Sequence, residues 1–235
     1  MNPQGPDDVA AAGAPAALPS PAAGVDVWLC GLARGDGEIR ELAALLSPAE
    51  HARAARFGRT ELRDRYVAGR ASLRIVLGAK LGMAPAAVAI ERGVRGRPYT
   101  PDAAGLDFNV SHTLGVALVG VAHGQRIGVD IEHGGRALNV DGVARKFMSP
   151  REQDELRALG DDARRRALLR LWTCKEAMSK ATGDALSAPF RRMDVDAGPL
   201  RLVGGPPPYE PARWRLHAVD VPGGFLATVA LWHGQ

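Results

Sequence analysis

A serine–proline–X–glutamate tetrad occurs twice in this chain, at Ser47-Pro48-Ala49-Glu50 and at Ser149-Pro150-Arg151-Glu152. Each reads as a helix start. Serine caps, proline suits the first helical position, and glutamate three residues on can complete a capping box. After a short interval a longer helical stretch follows in both places. Residues 66–81 carry Leu73, Val76, Leu77 and Leu81 as an apolar stripe, and residues 168–181 carry Leu168, Leu171, Trp172 and Met178. Each half then shows a β-hairpin pattern. Residues 116–122 and 127–132 flank the turn His123-Gly124-Gln125, and residues 214–221 and 225–232 flank Pro222-Gly223-Gly224. The recurring order points to a duplicated α+β unit. The halves are expected at 25–126 and 127–235. Residues 1–24, mainly Ala, Pro and Gly, can bury little and are expected to be disordered. Residues 204–208 form a proline-rich loop.

At 235 residues with 46% apolar content, the chain can fill a core. No apolar run approaches the ~18 residues of a membrane span, and no secretion signal is read at the N-terminus. Cys30 and Cys174 lie far apart without metal-ligand spacing, which fits a reducing cytoplasm. Positive charge is carried mostly by arginine, lysine being confined to Lys80, Lys146, Lys175 and Lys180. A pI near 9.4 suits a polyanionic partner: nucleic acid, a phosphorylated cofactor or an acidic protein surface.

The run Ile127-Gly128-Val129-Asp130-Ile131-Glu132 bears the most chemistry of any predicted strand. Period-two alternation puts Ile127, Val129 and Ile131 on one face and Asp130 and Glu132 on the other. Two neighbouring carboxylates repel unless a cation lies between them, and a hard divalent ion suits that place. A solvated acidic face of an edge strand would show the same pattern. In Lys175-Glu176-Ala177-Met178-Ser179-Lys180, Glu176 and Lys180 share one helical face, with Lys175 flanking it. That pattern fits either a surface ion pair or a phosphate-neutralising lysine. Cys174 reads as a small buried residue.

In Phe108-Asn109-Val110-Ser111-His112-Thr113, adjacent residues of a strand point apart, which disfavours Ser111 and His112 as a nucleophile–base pair. Contacts to phosphate suit both better, and a structural histidine is the alternative. Arg95-Gly96-Arg97-Pro98-Tyr99 is a compact basic turn, and Arg65 and Arg70 on the first long helix could also reach an anion.

Taken together, Gly96-Arg97-Pro98, the Phe108–Thr113 run, Gly128-Val129-Asp130-Ile131-Glu132 and the Trp172–Lys180 run resemble the larger, pseudo-dimeric class of 4'-phosphopantetheinyl transferases. The resemblance implies two α+β halves about a pseudo-twofold axis, in a monomer, with coenzyme A between them. It implies Mg²⁺ or Mn²⁺ held by Asp130, Glu132 and Glu176, with Glu176 and Lys180 as the catalytic pair. Coenzyme A contacts would fall to Arg65, Arg97, Pro98, Ser111, His112, Asp130, Lys175 and Lys180. The acceptor would be a serine of an acyl or peptidyl carrier protein of fatty acid, polyketide or nonribosomal peptide synthesis, and 3',5'-adenosine bisphosphate the second product. Where the family commonly has lysine in its G-K-P turn, this chain has Arg97. Two rivals stay open on the residues alone. One is a metal-dependent nuclease, against which stands the lack of an aromatic stacking platform. The other is a non-catalytic binding module, which needs no clustered carboxylates.

Overall fold

The computed structural model describes residues 5–11, 13–101, 103 and 105–234. The capped tetrads behave as their chemistry requires. Ser47 and Ser149 both accept from the glutamate amide three residues on, and Glu50 and Glu152 return the bond to the serine amides at 2.9 and 2.7 Å.

In chain order the elements are α1 (Pro6–Ala10), β1 (Ala16–Ala22), β2 (Val25–Gly31), α2 (Asp36–Ala43), α3 (Pro48–Ala54), α4 (Thr60–Leu81), β3 (Glu91–Arg92), β4 (Pro98–Tyr99), β5 (Leu106–Thr113), β6 (Val116–His123), β7 (Arg126–His133), α5 (Val140–Phe147), α6 (Pro150–Arg157), α7 (Asp161–Thr182), β8 (Asp194–Asp196), β9 (Arg201–Gly204), β10 (Trp214–Val219) and β11 (Phe225–Trp232). The two main sheets run β1-β2-β6-β5 and β10-β11-β7. With β1 set aside as an added edge strand, the order β2-β6-β5 in one half matches β7-β11-β10 in the other. The long helices α4 and α7 are both 22 residues and both end on a left-handed glycine, Gly82 and Gly183. The architecture is α+β, with the same unit written twice.

That repetition extends to a buried ion pair. Arg74 and Lys175 are each the fifteenth residue of their helix, counting from 60 and from 161. Arg74 Nε meets Glu50 at 2.7 Å, and Lys175 Nζ meets Glu152 at 2.6 Å. In both halves the glutamate that closes the capping box also anchors the long helix to the short one.

The sheets pack face to face over a shared apolar layer. Val25, Val27 and Leu118 come from one half and Ile127, Val129, Ile131, Val229 and Leu231 from the other. α7 lies over β7 and β11 on the far side of its sheet. The remaining apolar residues form one cluster around α4 and one around α7.

Two expectations change here. The described part of 1–24 is ordered: β1 pairs antiparallel with β2, and Val9 and Ala10 are buried. Composition missed this because a few small apolar residues suffice when a preformed sheet edge and core supply the surface. The expected hairpin of 116–122 with 127–132 is also not formed. β6 and β7 belong to different sheets, and β6 pairs with β5 instead. Gly120 explains the geometry: a Cβ there would stand 2.5 Å from Val129 Cγ1, so β7 packs against the face of β6 rather than its edge. The hairpin of β10 and β11 is present, in register from Trp214↔Trp232 to Val219↔Ala227.

Gly128 carries a comparable constraint on the other face of β7. A Cβ there would lie 1.9 Å from the Ala177 carbonyl oxygen and 2.7 Å from the Ala181 nitrogen, so the backbones of β7 and α7 touch. Gly128→Ala is expected to destabilise by at least the ~1–3 kcal/mol of overpacking. A lowered denaturation midpoint would show it; an unchanged midpoint would mean that α7 yields freely.

Candidate functional site

β7 is an edge strand of its sheet, yet its outward N–H groups are not left bare. Alternate side chains of β5 accept them: Asp107 Oδ2 from Ile127 N at 2.8 Å, Asn109 Oδ1 from Val129 N at 3.1 Å, and Ser111 Oγ from Ile131 N at 3.4 Å. This side-chain ladder stitches the halves together and sets the height of Asp130 against β5.

Asp130 is 4% exposed. Its Oδ1 accepts from Ser111 Oγ at 2.8 Å and from Lys180 Nζ at 2.6 Å, while Oδ2 is buried with no hydrogen-bond partner. Glu132, also buried, accepts from Thr113 Oγ1 at 3.2 Å and pairs with Arg136. Glu176, half-buried on α7, has no hydrogen-bond or ion-pair partner among the described residues. All three carboxyls are raised above the usual carboxylate range, first by burial. Repulsion from Asp130 adds to the rise at Glu132 and Glu176, and that from Glu132 at Glu176. The alternative of a solvated acidic face is not met: the second face of β7 is covered by α7.

The carboxylates are therefore electrostatic neighbours, but among the described residues no group of three His, Cys, Asp or Glu side chains is arranged as a metal cage. Lys180 and Arg136 hold part of their lone-pair capacity. The orphaned, buried Asp130 Oδ2 and three mutually repelling carboxyls still form a donor set that fits a hard divalent cation.

Beside them opens a cleft of about 300 Å³, lined from both halves by Arg70, Arg92, Arg95, Arg97, Pro98, Asn109, His112 and Lys180. A second hollow shares Arg70, Arg92 and His112 and adds Arg53, Arg65, Tyr66 and Leu114. The walls are strongly cationic. Of the residues expected from sequence, Arg65, Arg97, Pro98, His112 and Lys180 line this space. Lys180 bonds Ser111 and Asp130, which leaves one ammonium N–H unused on a side chain that lines the cleft. Arg65 is exposed and pairs with Glu61 at 2.7 Å. His112 stands against α4 at Gly69, where a Cβ would come within 3.2 Å of its Nε2. The residue is exposed, yet enclosure by the cleft walls and then the charges of Lys180 and Arg70 lower its pKa to about 4.

Three expected ligands are engaged elsewhere. Lys175 is fully buried and makes three hydrogen bonds, to Glu152, Phe147 O and Phe190 O. One residue of helix turns a side chain about 100°, so Lys175 enters the core while Glu176 faces β7. Ser111 gives its hydroxyl proton to Asp130. Arg97 has four hydrogen bonds within the protein. As expected from alternation, Ser111 and His112 point apart, Ser111 to β7 and His112 to the cleft. Cys174 is buried, its thiol pushed up to about 12 by that burial, so it is no nucleophile. Arg70, which pairs with Glu50, and Arg92 line the cleft as well. Extending the basic turn of 95–99 a few residues upstream would have found Arg92.

Two family models match the chain in series: the N-terminal 4'-phosphopantetheinyl transferase model over residues 35–123 and the 4'-phosphopantetheinyl transferase superfamily model over residues 126–230. The chain is similar to the 4'-phosphopantetheinyl transferase HetI of Nostoc sp. (strain PCC 7120), at 40% identity over 166 residues, 69% of this chain and 70% of that protein. It is also similar to a 4'-phosphopantetheinyl transferase of Bacillus subtilis, at 30% over 159 residues, 68% and 70% of the two chains. The transferase Sfp of Bacillus subtilis (strain 168) matches at 27% over 158 residues, 67% and 69%. With consecutive models covering both halves and such a relative matched over most of its length, this chain belongs to the 4'-phosphopantetheinyl transferase superfamily.

Proposed function

We propose that this protein transfers the 4'-phosphopantetheine arm of coenzyme A to a serine of an apo acyl or peptidyl carrier protein, releasing 3',5'-adenosine bisphosphate. The observation that carries the reading is Lys180, which lines an arginine-rich cleft, with the unpartnered carboxylate of Glu176 one helical turn away and electrostatically coupled to it. The arginines suit the phosphates of coenzyme A. Glu176 takes the proton of the carrier serine as its oxygen attacks the β-phosphorus, and Lys180 neutralises charge on the departing phosphate oxygen. His112, which also lines the cleft, can offer a hydrogen bond.

Asp130, Glu132 and Glu176 would hold Mg²⁺ (or Mn²⁺), and the ion would supply charge neutralisation at the pyrophosphate. Support comes from the bare, buried Asp130 Oδ2. The equivalent element order of the halves further supports a pseudo-twofold arrangement within a single chain. No helix among the described residues is long and apolar enough to cross a membrane.

Intact mass spectrometry of an apo carrier protein incubated with the chain, coenzyme A and Mg²⁺ is expected to show the gain of one phosphopantetheine unit. A carrier that keeps its mass would refute the activity. Chelating the divalent ion is expected to stop the gain; undiminished loading under chelation would remove the metal from the scheme and leave the transfer.

A further inference from the structure

Arg97 sits in the basic turn between β3 and β4, where a phosphate ligand is expected, but its guanidinium is turned inward. Its side chain is 10% exposed. Nη1 and Nη2 form a bidentate pair with Asp107 at 2.7 and 2.6 Å. Nη2 also donates to Ile127 O at 2.7 Å, and Nε to Lys180 O at 3.0 Å. One planar fork thus joins four pieces of the cleft wall: its own turn, the start of β5, the start of β7 and the tip of α7.

Each partner is a lever on the site. Asp107 is the first rung of the ladder between β5 and β7, since its Oδ2 also takes Ile127 N. Three residues further along β7 stands Asp130. The Lys180 carbonyl lies in the last turn of α7, where carbonyls have no partner inside the helix, and a cation there is favoured by the helix dipole. The same residue carries the ammonium that meets Asp130, and Glu176 is one turn back.

We propose that Arg97 is a positioning residue: through Asp107 and the main chain of Lys180 it locks β7 and α7 together, so that Glu176 and Lys180 stand where transfer needs them. The proposal rests on the transfer reaction given above. Asp107 makes it testable, because its carboxylate repels phosphate and it does not line the arginine-walled cleft.

Arg97→Lys keeps the charge without the fork, and Asp107→Asn keeps the shape without the charge. Both are mild enough to fold. Steady-state loading of a carrier is expected to show kcat lowered by about 10–100-fold in each, the scale of a displacement on the order of 1 Å. KM for coenzyme A should change by less than about threefold, because a clamp acts on the transition state rather than on substrate binding. The double variant should be no worse than the poorer single one, since both remove the same interaction. Hydrogen exchange at the α7 tip and at the start of β7 is expected to quicken in both variants. A raised KM with kcat intact in Arg97→Lys, together with wild-type kinetics in Asp107→Asn, would overturn the clamp and make Arg97 a phosphate ligand. The exchange measurement needs no turnover. A wild type that loads nothing would refute the proposed function, while unchanged exchange in the variants would refute the clamp on its own.

Discussion

Replacing Glu176 with glutamine is expected to lower phosphopantetheine transfer by about 10²–10⁴-fold, the range for loss of a positioned general base, while the thermal midpoint at pH 7 stays level or rises. The two halves of this result come from one cause. The carboxyl is raised by burial and by Asp130, so the folded state holds its proton more tightly than the unfolded state does. Stability from this group is therefore present below the ordinary carboxylate pKa and is lost as pH rises through the raised one. At neutral pH the charged Glu176 opposes folding, and the amide removes that opposition. No hydrogen bond is lost, because none is made among the described residues. The check is a thermal melt beside a loading assay. A glutamine variant that loads the carrier at the native rate would take the base away from Glu176; one that loses activity only because it melts would make the residue structural.

Lys175→Met is expected to cost about 3–5 kcal/mol by stranding Glu152 in the core, which corresponds to a thermal midpoint lower by roughly 6–20 °C for a chain of this size. Both side chains of the pair are fully buried. The lysine also satisfies two carbonyls, Phe147 O and Phe190 O, which would lose their partner. Adding Glu152→Gln should recover part of the loss, since the amide oxygen can still accept from Ser149 or Val195. Below its midpoint, the Lys175→Met protein should keep the KM for coenzyme A within about twofold, because the ammonium never faces the cleft. Denaturant unfolding and steady-state kinetics on the two variants check this. A stable variant with a sharply raised KM would return Lys175 to the phosphate site.

Much of the fold lay open in the residues. Both capped helix starts, both long helices and the β10–β11 hairpin are local events, fixed by capping chemistry and periodicity within a few residues. What local reasoning could not show is which partner each face meets. Alternation placed Asp130 and Glu132 correctly on one side of β7, but whether that side faces water or α7 depends on Gly128, whose role appears only when the helix is laid across it. The β6–β7 turn looked like a hairpin because strands joined by a short connection usually pair; here the connection instead carries the chain from one sheet to the other. Among the site residues, position in a motif was a poor guide to the target of a cation. Lys175 and Arg97 both belong to phosphate-flavoured runs, and both bind the protein itself. The matching pair Glu50–Arg74 was the available hint for Lys175, since a repeated unit tends to repeat its struts.

The short passage from β6 to β7 has a consequence for how the enzyme meets low abundance. Where a cleft is assembled from two separate polypeptides, dilution empties it by mass action. Here one wall follows the other after residues 124 and 125, so each sees its mate at an effective concentration set by the tether, on the order of millimolar or above. Dilution of the chain therefore does not separate the two walls.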